Sequence, residues 1–126
     1  ASDAYLKAIN LDPLTVHAYM GLANICAQTG FPDQAFKWYE LAAKAAPNYS
    51  AAWTSMAVME GRRGNFKQAV PLAEKACALD PKDPVNAANL ALAYHRVGRT
   101  KDRDKMYKKA EQLGYRNLAN LQELFR

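Results

Sequence analysis

The chain has 126 residues, half of them hydrophobic, and carries a formal net charge of +5. This length supports one domain with a continuous core but leaves no room for a separate catalytic domain beside it. The sequence contains no run of roughly 18 apolar residues, which a membrane-spanning helix requires.

A period of 34 residues runs through the sequence. The glycines Gly30, Gly64 and Gly98 are spaced by this interval. Other residue types recur in phase with them: Leu22, Met56 and Leu90; Ala23, Ala57 and Ala91; Ala42, Ala76 and Ala110; Tyr39, Ala73 and Tyr107; Pro13, Pro47 and Pro81. A fixed period of this length indicates one structural unit repeated in tandem.

The first residues of the chain align with the second half of a unit. Four of them match residues one period later: Ala1, Tyr5, Ala8 and Pro13 align with Ala35, Tyr39, Ala42 and Pro47. Residues 1–15 are therefore predicted to form the second helix of a truncated repeat whose first helix is missing.

Residues 16–49, 50–83 and 84–117 are predicted to be three repeats, each with two helices. In the second repeat, apolar residues follow helical spacing from Ser50, the expected N-cap, to Arg63. Gly64 then tolerates the positive φ at which a helix stops. A second helical pattern continues to Leu79, and Asp83 is expected to cap the following helix.

Residues 118–126 begin a fourth unit but cannot complete it. Leu118, Leu121 and Phe125 form one apolar stripe on a predicted helix. Phe125 occupies the place of the small residues Ala57 and Ala91, where a bulky ring would prevent a second helix from packing closely. We therefore predict a C-terminal capping helix that covers the last open face of the stack.

This pattern resembles the tetratricopeptide repeat (TPR) family. The family signature is matched in the first repeat by eight residues: Tyr19, Leu22, Ala23, Gly30, Ala35, Tyr39, Ala42 and Pro47. The third repeat departs from it at Ala87, Arg103 and Tyr115. The resemblance implies an all-α, right-handed superhelical solenoid of antiparallel helix pairs, and a role in protein interaction.

In a stack of this kind the first helices line the concave side. Residues one period apart then form ladders across a groove, and the candidate groove residues are Met20, Asn24, Thr54, Val58, Arg62, Asn89, Leu92 and Arg96. Such a floor offers apolar contacts, amides for a peptide backbone and two cations for carboxylates. We therefore predict a non-catalytic scaffold that holds a partner peptide with an acidic group.

The co-chaperone members of the family grip a C-terminal carboxylate with lysine, arginine and asparagine side chains. The matching places in this chain are Met20, Asn24, Ser55, Val85 and Asn89. Of the residues that form this clamp, only Asn24 is retained, so we expect no binding of chaperone tails in that manner.

The sequence offers little for catalysis or for a metal. His17 and His95 lie two repeats apart, on the order of 20 Å if neighbouring helices pack 8 to 10 Å apart. Cys26 and Cys77 lack metal-site spacing and are expected to be buried thiols, which fits a reducing compartment such as the cytoplasm. Glu60 is expected to pair with Arg62, Arg63 or a neighbouring lysine. We predict no enzyme activity and no cofactor.

Two alternative functions remain at this point. A homo-oligomeric assembly module would use Tyr5, Ala8 and Ile9 at the incomplete N-terminal face. A nucleic-acid-binding repeat would use the segment from Arg96 to Arg116, which carries eight basic and three acidic residues. Its lysines form a candidate basic patch on the convex side: Lys101, Lys105, Lys108 and Lys109. No exposed aromatic residues are expected to interleave there to stack on bases, which makes nucleic acid the less favoured partner.

Overall fold

The computed structural model describes residues 13–126, which form seven α-helices and no β-strand. The helices are α1 (Pro13–Gln28), α2 (Pro32–Ala45), α3 (Ser50–Arg62), α4 (Phe66–Leu79), α5 (Pro84–Arg96), α6 (Thr100–Gln112) and α7 (Leu118–Leu124). Residues 1–12, with most of the predicted truncated-repeat helix and the oligomerisation residues Tyr5, Ala8 and Ile9, lie outside the described part. Residues 13–15 belong to α1 instead of to a preceding helix.

The helix ends follow the local signals only in part. Gly30, Gly64 and Gly98 adopt φ values of 90°, 80° and 81°, the left-handed region in which glycine carries no Cβ penalty. Asp83 caps α5 as expected, because its Oδ1 accepts from the backbone N–H of Val85 at 2.9 Å. The expectation for Ser50 was wrong: α3 already includes Ser50, and the N-cap position before it makes no side-chain hydrogen bond.

Helices pack as antiparallel pairs that stack one on the next. The pairs are α1 with α2, α3 with α4, and α5 with α6, while α2 contacts α3 and α4 contacts α5. Fully buried alanines, Ala23 and Ala35 among them, let the paired backbones approach closely around Tyr19. Helix α3 also contacts α5, so the first helices form their own row. The all-α solenoid predicted from the period is confirmed.

A buried carboxylate joins the first two pairs. Glu60 is 6% exposed, and its Oε1 accepts from the Arg63 guanidinium at 2.7 Å. The same guanidinium reaches Asp33 at the start of α2, at 3.0 Å. The predicted pairing of Glu60 with a neighbouring basic residue is therefore confirmed, and the residue is Arg63.

Helix α7 packs against the last pair through two apolar side chains. Leu121 is buried against α5 and α6 beside Ala87, Ala88 and Ala110. The Phe125 ring lies 5.0 Å from the His95 ring, measured between centroids. The two rings close the end of the groove along the first helices.

Arg103 takes part in the same contact. It stands in the register of Ala35 and Ala69, and its guanidinium lies 5.2 Å from the Phe125 ring and 3.0 Å from His95 Nδ1. Where the other repeats have alanine, Arg103 therefore makes the contact by packing its planar guanidinium on the Phe125 ring.

Candidate functional site

Two adjoining cavities lie along the row of first helices. The first cavity, of about 220 Å³, lies between α1 and α3, and the second, of about 280 Å³, lies between α3 and α5. Val58 and Arg62 of α3 line both cavities. The two cavities therefore form one groove with a shared wall.

The period relates the linings of the two cavities. Residues that line the first are followed 34 positions later by residues that line the second: Asn24 by Val58, Ala27 by Gly61, Gln28 by Arg62, Tyr39 by Ala73, Ser55 by Asn89, Val58 by Leu92, Met59 by Ala93 and Arg62 by Arg96. Equivalent positions of the repeat line both cavities, so the cavities differ through their side chains.

The first cavity is polar at its centre. Tyr39 is buried, and its hydroxyl donates to Asn24 Oδ1 at 2.5 Å, which ties α2 to α1. Burial raises the pKa of Tyr39, so the phenol is a neutral hydrogen-bond donor. Since Asn24 accepts this bond through its oxygen, its amide nitrogen stays available to donate.

The second cavity is apolar at the same place. Val58 and Ala73 stand where Asn24 and Tyr39 stand in the first, and neither contributes a polar side-chain atom. Phe66 at the start of α4 forms one edge, close to the glycine that replaces Ala27: a Cβ on Gly61 would lie 3.7 Å from Phe66 Cε1. Small and apolar side chains thus surround a space that is open on one side.

Two arginines stand at the rim without acidic partners. Arg62 and Arg96 are exposed, and the Arg96 guanidinium lies 5.5 Å from the centre of the Phe66 ring. Within residues 13–126, neither guanidinium lies within 4.0 Å of a carboxylate. The neighbouring Arg63, by contrast, is held by Glu60 and Asp33. The rim therefore presents two cations to whatever enters the groove.

Most of the predicted groove residues line these cavities. The first cavity includes Asn24, Thr54, Val58 and Arg62, and the second includes Val58, Arg62, Asn89, Leu92 and Arg96. The Thr54 hydroxyl is already engaged, because it lies 2.6 Å from Asn86 Oδ1 on α5.

Met20 does not join the groove. It is 9% exposed and packs in the core with Val16 and Tyr19. The structure therefore places Met20 in the core and not in the groove, although Thr54, one period later, lines the first cavity.

Six residues that line the second cavity were not predicted from the sequence to lie in the groove: Ala57, Gly61, Phe66, Ala69, Ala73 and Ala93. The sequence does carry a signal for one of them, since Ala73 interrupts the series Tyr39, Ala73, Tyr107. A small residue at a position that is otherwise aromatic indicates missing volume.

The predicted basic patch lies away from both cavities, on α6. Lys101, Lys105 and Lys108 are exposed, and Lys109 is half-buried. Acidic residues interrupt this surface, with an ion pair of 2.8 Å between Arg99 and Asp102 among them. The patch is therefore a mixed surface in which basic residues predominate.

The thiols are half-buried and apart. Cys26 and Cys77 are both free, and burial raises the pKa of the Cys77 thiol to about 11. No group of three potential metal ligands occurs within residues 13–126. In the same part of the chain, no helix combines the length and the apolar character needed to cross a membrane.

Comparison with known proteins identifies the repeat. Residues 16–49 match the sequence profile of the tetratricopeptide repeat. Over 113 residues the chain is 29% identical to anaphase-promoting complex subunit 3 of Schizosaccharomyces pombe. That match covers 87% of this chain and 16% of the relative, so the chain spans about a sixth of its length. Residues 16–49 are therefore a tetratricopeptide repeat, and the two helix pairs that follow repeat its architecture.

Solved TPR domains share its architecture. The first TPR domain of Spaghetti (RPAP3), bound to the HSP90 peptide SRMEEVD, superposes with a TM-score of 0.84 at 19% identity. That alignment covers 91% of this chain and 94% of the other. The Sgt2 TPR domain of Aspergillus fumigatus gives 0.81 at 20% identity, over 90% and 78% of the two chains. These likenesses establish the TPR fold of the described residues.

Proposed function

We propose that this TPR chain is a non-catalytic scaffold that binds an acidic, extended segment of a partner protein along its first helices. The observation that carries the proposal is the pair of rim arginines, Arg62 and Arg96, which are exposed beside two cavities and meet no carboxylate within residues 13–126. A partner carboxylate would supply the missing charge through paired N–H donors.

The amides on either side of the arginines suit a peptide backbone. Asn24 keeps its amide nitrogen free to donate in the first cavity, and Asn89 lines the second. An asparagine side chain both donates and accepts, so it can hydrogen-bond an extended backbone that has no pairing partner of its own. Val58 and Leu92 add apolar contact between the amides.

The comparisons support a protein partner. The HSP90 peptide on the Spaghetti TPR domain reads SRMEEVD, a segment with three acidic residues. The relative from Schizosaccharomyces pombe is by name a subunit of a complex. Because Met20, Val85 and Asn89 carry no cation at the lysine and arginine places of the co-chaperone clamp, we assign the acidic contacts to Arg62 and Arg96 instead.

The test is selection of peptides on the immobilised chain from a displayed random library, followed by titration of the selected sequences. We expect enrichment of acidic peptides. Replacing both Arg62 and Arg96 with Met should lower their affinity by about a hundredfold or more, because each charged hydrogen bond contributes roughly 1.5 to 3 kcal/mol. Asn24→Ala with Asn89→Ala should also weaken binding.

A matched control removes two charges from the convex side. Lys105→Met with Lys108→Met changes the net charge by the same amount on exposed positions of α6. This pair should leave the affinity unchanged. Loss of binding only in the lysine pair would contradict the groove and place the partner on the convex patch.

A further inference from the structure

The second cavity lacks an aromatic ring that the repeat supplies elsewhere. The place is held by Tyr39 in the first repeat, by Ala73 in the second and by Tyr107 in the third. Tyr39 fills its site and bonds Asn24, and Tyr107 lies 6.0 Å from the Phe125 ring. Only the α3–α4 pair, among the three described pairs, has no ring of its own at this position.

The residues around Ala73 do not fill the space that is left. Met59 and Ala27 of the first cavity give way to Ala93 and Gly61 in the second, which removes further volume. The second cavity is accordingly the larger, at about 280 Å³ against about 220 Å³. An apolar cavity of about 150 Å³ is enough to bind benzene in another protein. The space therefore accommodates a ring.

The chemistry of the lining selects an apolar occupant. The floor is made of Ala57, Ala69 and Ala73, which are all buried, and Phe66 provides an aromatic edge. A ring inserted there meets methyl groups and a second ring, with which aromatic side chains pair favourably. A phenol in the position of Tyr39 would find no acceptor for its hydroxyl, since Val58 replaces the asparagine that receives the Tyr39 hydroxyl.

We propose that the second cavity is a socket for a phenylalanine-type side chain of the partner, which takes the place of the ring that Ala73 omits. The inference rests on the proposed function and specifies its ligand: an apolar aromatic anchor flanked by acidic residues. The flanking charge follows from Arg62 and Arg96, which border the same cavity. Buried aromatic anchors commonly dominate the affinity of an interface.

The test uses phenylpropionate, which joins one phenyl ring to one carboxylate, as the probe in an NMR titration of the full chain. We expect the backbone amide signals of Gly61, Leu92 and Ala93 to shift, while those of Ala27 and Gln28 at the first cavity stay in place. The uncharged phenylpropanamide should bind several-fold more weakly, because it cannot pair with the arginines.

Two matched variants decide where the ring binds. Ala73→Phe restores a ring to the cavity and should abolish the shifts. Ala78→Phe adds the same ring to the same helix at an exposed position and should leave them unchanged. If Ala73→Phe does not fold, Val58→Asn provides the second measurement: it copies the first cavity and should weaken the probe by about tenfold, since it places an amide against apolar groups.

The inference is overturned if saturating phenylpropionate leaves the Gly61, Leu92 and Ala93 signals unmoved. It is equally overturned if the shifts persist in a folded Ala73→Phe variant, or are unaffected by Val58→Asn. Selected acidic peptides that bind the groove without an aromatic residue would remove the socket but keep the proposed function. Binding of the probe without any selected acidic peptide would keep the socket and remove the proposed function.

Discussion

The two cavities along the first helices share a backbone frame and differ in chemistry. In the first, Tyr39 and Asn24 close the centre with a hydrogen bond; in the second, Ala73 and Val58 leave it open and apolar. Because the same places of the repeat line both, the contrast isolates the effect of side chains on a constant fold. A repeat protein can therefore vary its binding surface one unit at a time without changing its stack.

The end of the groove gives a third version of the same place. His95 follows Ala27 and Gly61 at intervals of 34 residues, and its ring packs on Phe125, which directly follows α7. Of the three successive sites, the first is thus closed at its centre by Tyr39, the second is open, and the third holds Tyr107 and is covered by Phe125. The open one lies between two arginines, and for this reason we place the functional anchor there.

Removing the ring from the first cavity should give the largest change. Tyr39→Ala should lower the free energy of unfolding by about 3 to 5 kcal/mol, the usual range for deleting a buried aromatic side chain. Tyr39→Phe keeps the ring and loses only the bond to Asn24, so it should cost about 1 kcal/mol. Chemical denaturation measures both. Equal costs would show that the ring does not hold the first cavity closed.

A substitution that adds a phenyl ring should cost less stability in the second repeat than in the first. Ala23 is fully buried between α1 and α2 and lines neither cavity, whereas Ala57 borders the second cavity. Ala23→Phe should overpack the helix contact and cost about 1 to 3 kcal/mol. Ala57→Phe should cost less, because part of the ring has space to enter. A larger loss of thermal stability for Ala57→Phe would contradict an open second cavity.

The architecture was predictable because it depends on backbone requirements that recur every 34 residues. Positive φ at Gly30 and close helix approach at Ala23 restrict the residue type, so the period reports them directly. The side-chain conformations were not predictable to the same degree. Met20 shares a ladder with Thr54, yet its flexible side chain turns into the core with Tyr19.

The sequence predicts the second cavity only in part. The ladder of Tyr39, Ala73 and Tyr107 indicates that a ring is missing, but the sequence does not say whether neighbours collapse into the space. That outcome depends on Gly61 and Ala93, which are also small and leave the volume open. The role of Arg62 and Arg96 was likewise not predictable, because the sequence does not show that Arg63 is the arginine that pairs with Glu60 and Asp33.

The adjacent arginines Arg62 and Arg63 should separate binding from stability. Arg63→Met leaves the buried Glu60 carboxylate without its ion-pair partner and should cost about 1 to 2 kcal/mol, less than a fully buried pair because Arg63 is 35% exposed. Arg62→Met should change stability by less than about 0.5 kcal/mol. Denaturation of both variants measures the difference. Similar stability for the two would mean that Glu60 does not depend on Arg63.

The smallest effect concerns the closed end of the groove and depends on pH. His95 Nδ1 must accept from Arg103, because a guanidinium only donates, so the folded chain favours neutral His95. Burial lowers the pKa of His95 from 6.5, and the positive charges of Arg103 and Arg96 lower it further. Above about pH 6.5 both folded and unfolded chains hold the neutral ring, and the stabilising contact is complete.

As the pH falls below 6.5, the unfolded chain takes up the proton first, and the contribution of His95 to stability is lost progressively through its folded pKa. In protonated His95 both ring nitrogens are donors, so Nδ1–H would oppose the N–H of Arg103. The loss of this contact would loosen the packing of Phe125 on His95. Thermal unfolding across this range should therefore show a steeper loss of stability for the natural chain than for His95→Gln. Parallel curves would show that the third site is closed by Phe125 and Leu121 alone, without a contribution from the ionisation of His95.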